Sequence, residues 1–303
     1  MARSYRYLHY DVFTDHLFGG NQLAVVLDGR GLASETMQAI AQEMNFSETT
    51  FVLPAERADT DVRMRIFTPG AELPMAGHPT IGSTFALARA GVIEAGRERF
   101  VFGLGVGPVP VTLTWRGADL TFAWMTQASP QFFDPFGDRR AVASSLSLPD
   151  TAILPDLPVQ AISCGLPWLF VPLATRADVD KIVVNAKELD RVLEAGGHGA
   201  HGIFVFSPQA GDDGASVYSR MFAPGFGVFE DPATGSASGP LGCYLVHHRV
   251  VAADRAGRLR SLQGVRMGRP SDVHISIGVE QQTITSVRVG GESVLAGEGL
   301  LYI

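Results

Sequence analysis

The sequence states one pattern twice, about 150 residues apart, and this repeat limits the fold more than any other feature. Val62-Arg-Met-Arg-Ile-Phe67-Thr-Pro69-Gly70 reads against Val217-Tyr-Ser-Arg220-Met-Phe222-Ala-Pro224-Gly225. His78-Pro-Thr-Ile-Gly-Ser83 reads against Asp231-Pro-Ala-Thr-Gly-Ser236. Phe51-Val52 matches Phe204-Val205, and Gly20 to Leu27 loosely matches Gly165 to Pro172. The copies differ where chemistry belongs: His78 aligns with Asp231, and Glu48 with His201. A duplicated scaffold with diverged polar residues predicts one site built between two halves.

The richest stretch runs from Phe222 to Leu245. Strand residues break at Pro224-Gly225, a small-residue turn gathers Glu230, Asp231, Thr234, Gly235 and Ser236, and an apolar run follows. Pro240 early in that run predicts a helix that starts late or bends. A polar turn ahead of an apolar helix leaves backbone N–H groups unpaired, and such a helix start attracts carboxylates and phosphates. Thr234, Gly235 and Ser236 are the expected cradle for a substrate carboxylate.

A chain of 303 residues with 46% hydrophobic content can bury two full cores. Its net charge of -7 and lack of a basic cluster argue against nucleic acid. The N-terminus lacks the apolar core of a signal peptide, and no apolar run reaches spanning length, so no membrane association and a cytoplasmic location are expected. The two cysteines, Cys164 and Cys243, have no metal-ligand spacing and read as buried structural thiols. Lysine occurs only as Lys181 and Lys187, in the charged segment Arg176–Arg191 that reads as one solvated helix. Neither lies near a motif, which disfavours a pyridoxal phosphate Schiff base.

Taken in order, Tyr5–Phe13 and Leu23–Leu27 read as strands, and Ser34 as the N-cap of a helix with Met37, Ile40, Ala41 and Met44 on one face. Glu48–Leu53 and Arg63–Phe67 are strands, and Ile81–Ala90 is an apolar helix stopped by Gly91. Phe100–Trp115 and Leu120–Met125 are strand-rich. The proline-rich stretch Gln127–Asp156 reads as a linker with a short helix at Arg140–Leu146. Val159–Pro172 restarts the pattern, and Val265–Met267, Val273–Ile277, Ile284–Val289 and Leu300–Ile303 are late strands. Each half is many short strands and one apolar helix, which predicts α+β and a barrel around a helix in each half.

Glu48, in Phe46-Ser-Glu-Thr-Thr-Phe51, has two readings. One is a solvent-facing strand residue; the other is a general base for a C–H proton, raised in pKa by apolar neighbours. His78, pinned between Gly77 and Pro79, either caps backbone or transfers a proton. Asp231 is either an N-cap or an orienting or catalytic group. Other signals weaken. Gly103-Leu-Gly-Val-Gly107 lacks the spacing and following helix of a dinucleotide fingerprint. Gly235-Ser-Ala-Ser-Gly239 centres on alanine and is no nucleophile elbow. His198, His201, His247 and His248 lack ligand spacing with carboxylates, so no metal is expected.

These residues together resemble the phenazine-biosynthesis isomerase family, commonly called PhzF-like, within the diaminopimelate epimerase fold. The resemblance runs through Asp11-Val-Phe-Thr with Gly20-Asn21, Phe46 to Phe51, Glu72 to Thr80, Glu230 to Ala237, Gln263-Gly264 and Met267 to Ser271. It implies two pseudo-symmetric domains, each a barrel-like sheet around a central helix. They are residues 1–126, completed by a strand at 291–303, and 127–290, with the active site in the cleft between them. It also implies a homodimer and a cofactor-independent isomerase acting on a small carboxylate. Carried over, Glu48 resembles the acid/base glutamate, with His78, Asp231 and Ser236 as partners and Gly77 contributing backbone. Asn21, Gly77, Thr234, Gly235 and Ser236 then bind substrate. The best-known member isomerises trans-2,3-dihydro-3-hydroxyanthranilate by moving a proton along a conjugated ring acid. Related epimerases use two cysteines at the helix starts; those positions hold no cysteine here. An epimerase or dehydratase of another small acid, and a non-catalytic binding protein on the same scaffold, are the alternatives.

Overall fold

The computed structural model describes residues 3–303, which form an α+β protein of many strands and few helices. The chain divides into two compact units. One holds the residues up to Thr126 together with Val289–Ile303, and the other holds Gln127–Arg288.

In the first unit, strand Ser4–Val12 lies between Ser293–Tyr302 and Asn21–Val26, antiparallel to both. Asn21–Val26 pairs in parallel with Glu48–Pro54, with Leu23 opposite Glu48. Helix α1 (Ser34–Met44) makes that crossover and buries Met37, Ile40 and Ala41. It ends at Asn45, whose φ of 52° is the left-handed stop that asparagine tolerates. Val62–Phe67 pairs antiparallel with Glu48–Pro54 and in parallel with Arg99–Leu104. Helix α2 (Gly77–Arg89) connects these two and is buried from Gly77 to Leu87. It packs against Ser4–Val12, Asn21–Val26, Glu48–Pro54 and Ser293–Tyr302. Gly82 permits this approach: a Cβ there would lie 2.6 Å from side-chain carbons of both Val12 and Leu23.

The second unit pairs strands in a similar order. Gln160–Ser163 runs antiparallel to Pro167–Pro172, which is parallel to Ile203–Ser207, which is antiparallel to Val217–Ala223. Val217–Ala223 then pairs in parallel with Leu259–Gln263. Helices α3 (Arg139–Ser145), α4 (Arg176–Lys181) and α5 (Ala186–Gly196) precede α6 (Gly235–His247), which packs on Gln160–Ser163, Pro167–Pro172 and Ser271–Glu280. Cys164 and Cys243 lie in the core around α6, with sulfurs 4.0 Å apart.

Several expected elements differ. Gln127–Asp156 is no linker: Gln131–Pro135 pairs with Gln160–Ser163, and Asp138 caps α3 by accepting the Ala141 N–H. Val142, Ala143, Leu146 and Ile153 of this stretch are core residues. Arg176–Arg191 is two helices rather than one, capped by Thr175 and Asn185, with β-branched Ile182-Val183 in the break. Val265–Met267 is a 3-10 turn between Gly264 and Gly268, both at φ near +70°, so the chain reverses there instead of extending. Helix α6 begins at Gly235 despite Pro240. Its first residues, Gly235 to Gly239, are all small. Ser34 lies inside α1; Ala33 is the N-cap, and the Ser34 hydroxyl accepts from Arg65. Helix α2 begins at Gly77 rather than Ile81, which puts His78 inside its first turn.

Candidate active site

The first unit gathers three polar side chains at the start of α2. Asn21 opens one strand and Glu48 opens its parallel neighbour, while His78 is in the first turn of the helix both strands pack against. The Asn21 amide nitrogen is 3.1 Å from His78 Nδ1. His78 Nε2 is 3.1 Å from Glu48 Oε2, without the alignment of a formed hydrogen bond. Burial lowers His78 from 6.5 to about 3, against a smaller opposing hydrogen bond to the Gln22 backbone. The imidazole is therefore neutral at physiological pH, and this contact is not an ion pair. Gly77 precedes His78 at the helix start, and no side chain caps that start.

Below this cluster, the hydroxyls of Thr50 and Ser83 are 2.9 Å apart, both fully buried. They tie the strand carrying Glu48 to the helix carrying His78. Buried hydroxyls of this kind are satisfied pairwise, which fixes the register of the two elements.

The second unit builds a different cluster at the start of α6. Asp231 ends strand Val228–Asp231 and accepts a 2.6 Å hydrogen bond from the Thr234 hydroxyl. Gln263 holds the turn at three points. Its amide nitrogen donates to the Asp231 carbonyl at 2.7 Å and reaches the Thr234 hydroxyl at 3.0 Å, and its oxygen accepts the Thr234 N–H at 3.1 Å. Gly264 makes this possible: at φ +74°, a Cβ would stand 2.3 Å from the Arg269 carbonyl and 2.6 Å from that of Pro232. Gln127 donates to the Gly235 carbonyl at 2.9 Å. The Thr234 hydroxyl is spent on Asp231, so no side chain caps α6. Asp231, Thr234 and Ser236 are all buried.

Each turn is preceded by an arginine–glutamate pair. Arg65 holds Glu72 through two hydrogen bonds of 2.7 and 2.6 Å, ahead of His78. Arg220 holds Glu230 at 2.7 and 2.8 Å, directly before Asp231, and also donates to the carbonyls of Val179 and Ile182.

The structure thus brings Asn21, Glu48 and His78 together, with Gly77 adjacent. Asp231 and Thr234 form a second group, with Gly235 and Ser236 following in the helix. Gln263, Ser83, Arg65 and Arg220 escaped the residue-by-residue reading. Gln263 stood in a family motif, but its partners lie about thirty positions earlier, and only the fold joins them. Cys164 and Cys243 sit in the core around α6. Among the described residues, no cluster of three His, Cys, Asp or Glu side chains is placed to hold a metal ion. No helix among them is long and apolar enough to cross a membrane.

With this geometry in view, comparison with known proteins is informative. Residues 10–299 match the family described as phenazine biosynthesis-like protein. An uncharacterized isomerase of Mesorhizobium japonicum is 36% identical over 98% of both chains. The trans-2,3-dihydro-3-hydroxyanthranilate isomerase of Pseudomonas aeruginosa is 32% identical over 99% of this chain and 100% of its own. Among solved structures, a Bacillus anthracis phenazine biosynthesis protein of the PhzF family superposes with a TM-score of 0.86 at 29% identity, covering 99% of this chain and 100% of that one.

Proposed function

Given that the chain belongs to the phenazine biosynthesis-like family and is an isomerase, we propose that it moves a proton on a small unsaturated carboxylate without a cofactor, using Glu48 as acid and base. The Glu48 carboxylate takes a proton from a saturated carbon beside the unsaturation. The electron pair left behind spreads over the conjugated system, and a proton returns at a conjugated carbon farther along. No atom is gained or lost, which is what an isomerase requires. His78, kept neutral by burial, passes or steadies the proton at Glu48 Oε2, and Asn21 fixes its far nitrogen. The N–H groups at Gly235 and Ser236, uncapped by any side chain, hold the substrate carboxylate. Asp231, oriented by Thr234 and Gln263, assists reprotonation.

The observation that carries this reading is the 3.1 Å approach of Glu48 to a buried neutral imidazole. The substrate class follows the named activity of the Pseudomonas aeruginosa relative. In this reading the two units descend from one duplicated barrel-and-helix unit, and the enzyme works as a cytoplasmic homodimer. The internal repeat supports the first of these, and the family resemblance supports the second.

The test is solvent deuterium incorporation, followed by NMR, into trans-2,3-dihydro-3-hydroxyanthranilate and other small ring acids. Glu48→Gln is expected to fold normally and to lose at least about a hundredfold in exchange rate, the scale of a lost general base. Full activity in Glu48→Gln overturns the mechanism. Product analysis in the same tubes separates isomerisation from epimerisation or dehydration.

A further inference from the structure

In the second unit, a row of aromatic rings runs from the core to the surface and carries at its inner end a nitrogen that no described residue uses. Trp168 is 5% exposed and packs with Met221, Ala223 and Ala237. Its buried Nε1–H nonetheless has no hydrogen-bond partner among the described residues. The Trp168 and His201 rings are 6.2 Å apart, and His201 stacks on Phe226 at 4.5 Å and 19°. Phe226 is 47% exposed and ends the row at the surface.

The row is held firmly. The His201 N–H donates to the Pro167 carbonyl at 2.9 Å, and the Leu169 N–H to Gly202 at 3.0 Å. Gly202 has no room for a side chain: a Cβ there would lie 2.4 Å from the Phe222 carbonyl and 3.1 Å from the Trp168 ring. Buried tryptophan N–H groups normally find a partner, and leaving one without any in a tightly packed place is costly.

Its location is equally specific. Ala223, which touches this cluster, leads directly into the Pro224–Phe226 turn, and the chain returns along Val228–Asp231 to Asp231. Ala237, in the first turn of α6, packs in the same core cluster. His201 lies just upstream of Ile203–Ser207, the strand that pairs in parallel in this unit. In the first unit, the strand in that position opens with Glu48. Aromatic faces ending in an unused donor suit a planar unsaturated ring that carries an oxygen acceptor.

We propose that Trp168, His201 and Phe226 form the recognition wall for the substrate's ring: the ring lies along Phe226 and His201, and Trp168 Nε1–H donates to one of its oxygens. This rests on the isomerase reading above and names the residues that choose among ring acids. His201, which burial holds below the usual imidazole range, meets the ring as a neutral group.

The test uses the full-length protein labelled with nitrogen-15 and titrated with anthranilate, an unreactive planar amino acid with a ring carboxylate. Trp168→Phe removes the N–H, keeps an aromatic ring, and assigns the Trp168 indole signal. The expected result is a saturable downfield shift of that signal, with at least tenfold weaker binding in Trp168→Phe. In turnover, the same variant should raise KM at least tenfold and leave kcat within about threefold. Should Trp168→Phe fail to fold, the half-exposed Phe226→Ala reports on the same wall and should weaken binding about fivefold. Binding that shifts the Gly235 and Ser236 amides while the Trp168 indole stays still overturns the wall and leaves the isomerase reading standing. Absence of any shift with both anthranilate and trans-2,3-dihydro-3-hydroxyanthranilate at millimolar concentration overturns both.

Discussion

His78 lies in the polar cluster at the start of α2, and burial sets its behaviour. In the folded protein its pKa is lowered to about 3, whereas the unfolded chain titrates near 6.5. Between those values the unfolded state binds a proton that the folded state refuses, so stability falls as pH drops from about 6.5 toward 3. Above 6.5 neither state is protonated, and the group has no effect. His78→Gln should therefore flatten the acid limb of stability by roughly 1 kcal/mol per pH unit. Urea unfolding of wild type and variant at pH 7 and pH 5 checks this; equal slopes would show that the imidazole takes up its proton without unfolding. At this scale the sequence was legible where polarity was out of place: Glu48 between aromatic residues, and His78 between Gly77 and Pro79. Gln263 was not legible in the same way, because a glutamine near a strand end has no anomaly until the Asp231 turn is folded against it.

Among the elements, the two helix starts depend on arginine–glutamate pairs in unequal surroundings. The Arg220 and Glu230 side chains are 9% and 14% exposed, and Arg220 also satisfies two backbone carbonyls. Glu72, the partner of Arg65, is 41% exposed. Removing one partner of a buried pair strands the other charge, so Arg220→Leu should cost about 3 kcal/mol. Arg65→Leu leaves Glu72 able to reach water and should cost less than about 1 kcal/mol. Denaturant midpoints with unchanged m-values would measure both; equal losses would refute the argument from exposure. The same elements show why boundaries were hard to read. Pro240 is a breaker by its chemistry, yet α6 runs through it from Gly235 to His247. Gln127–Asp156 reads as a linker from its prolines, and only its burial of Val142, Leu146 and Ile153 shows otherwise. Val265–Met267 has strand residues, but the two left-handed glycines flanking it decide the local path.

For the whole molecule, the first unit is assembled from two distant stretches, while the second is continuous from Gln127 to Arg288. Family membership, the isomerase class and the α+β content were readable because the motifs are spread over nearly the whole chain. The joining of Ser293–Tyr302 to Ser4–Val12 was harder to read, since pairing across the length of the chain leaves no local periodicity. Truncation after Gly291 removes one of the two partners of Ser4–Val12. Hydrogen exchange should then show lost protection across Tyr5–Asp11 and retained protection across Val217–Ala223. Protection lost equally in both would mean that the two units unfold as one.

That late-arriving strand also has a consequence for how the protein is made. Translation delivers every residue of the second unit before the strand that completes the first has left the ribosome. The first unit waits with one side of Ser4–Val12 unpaired, an edge of the kind that recruits other chains. Maturation therefore runs against the order of synthesis: of the two units, the one begun first is finished last.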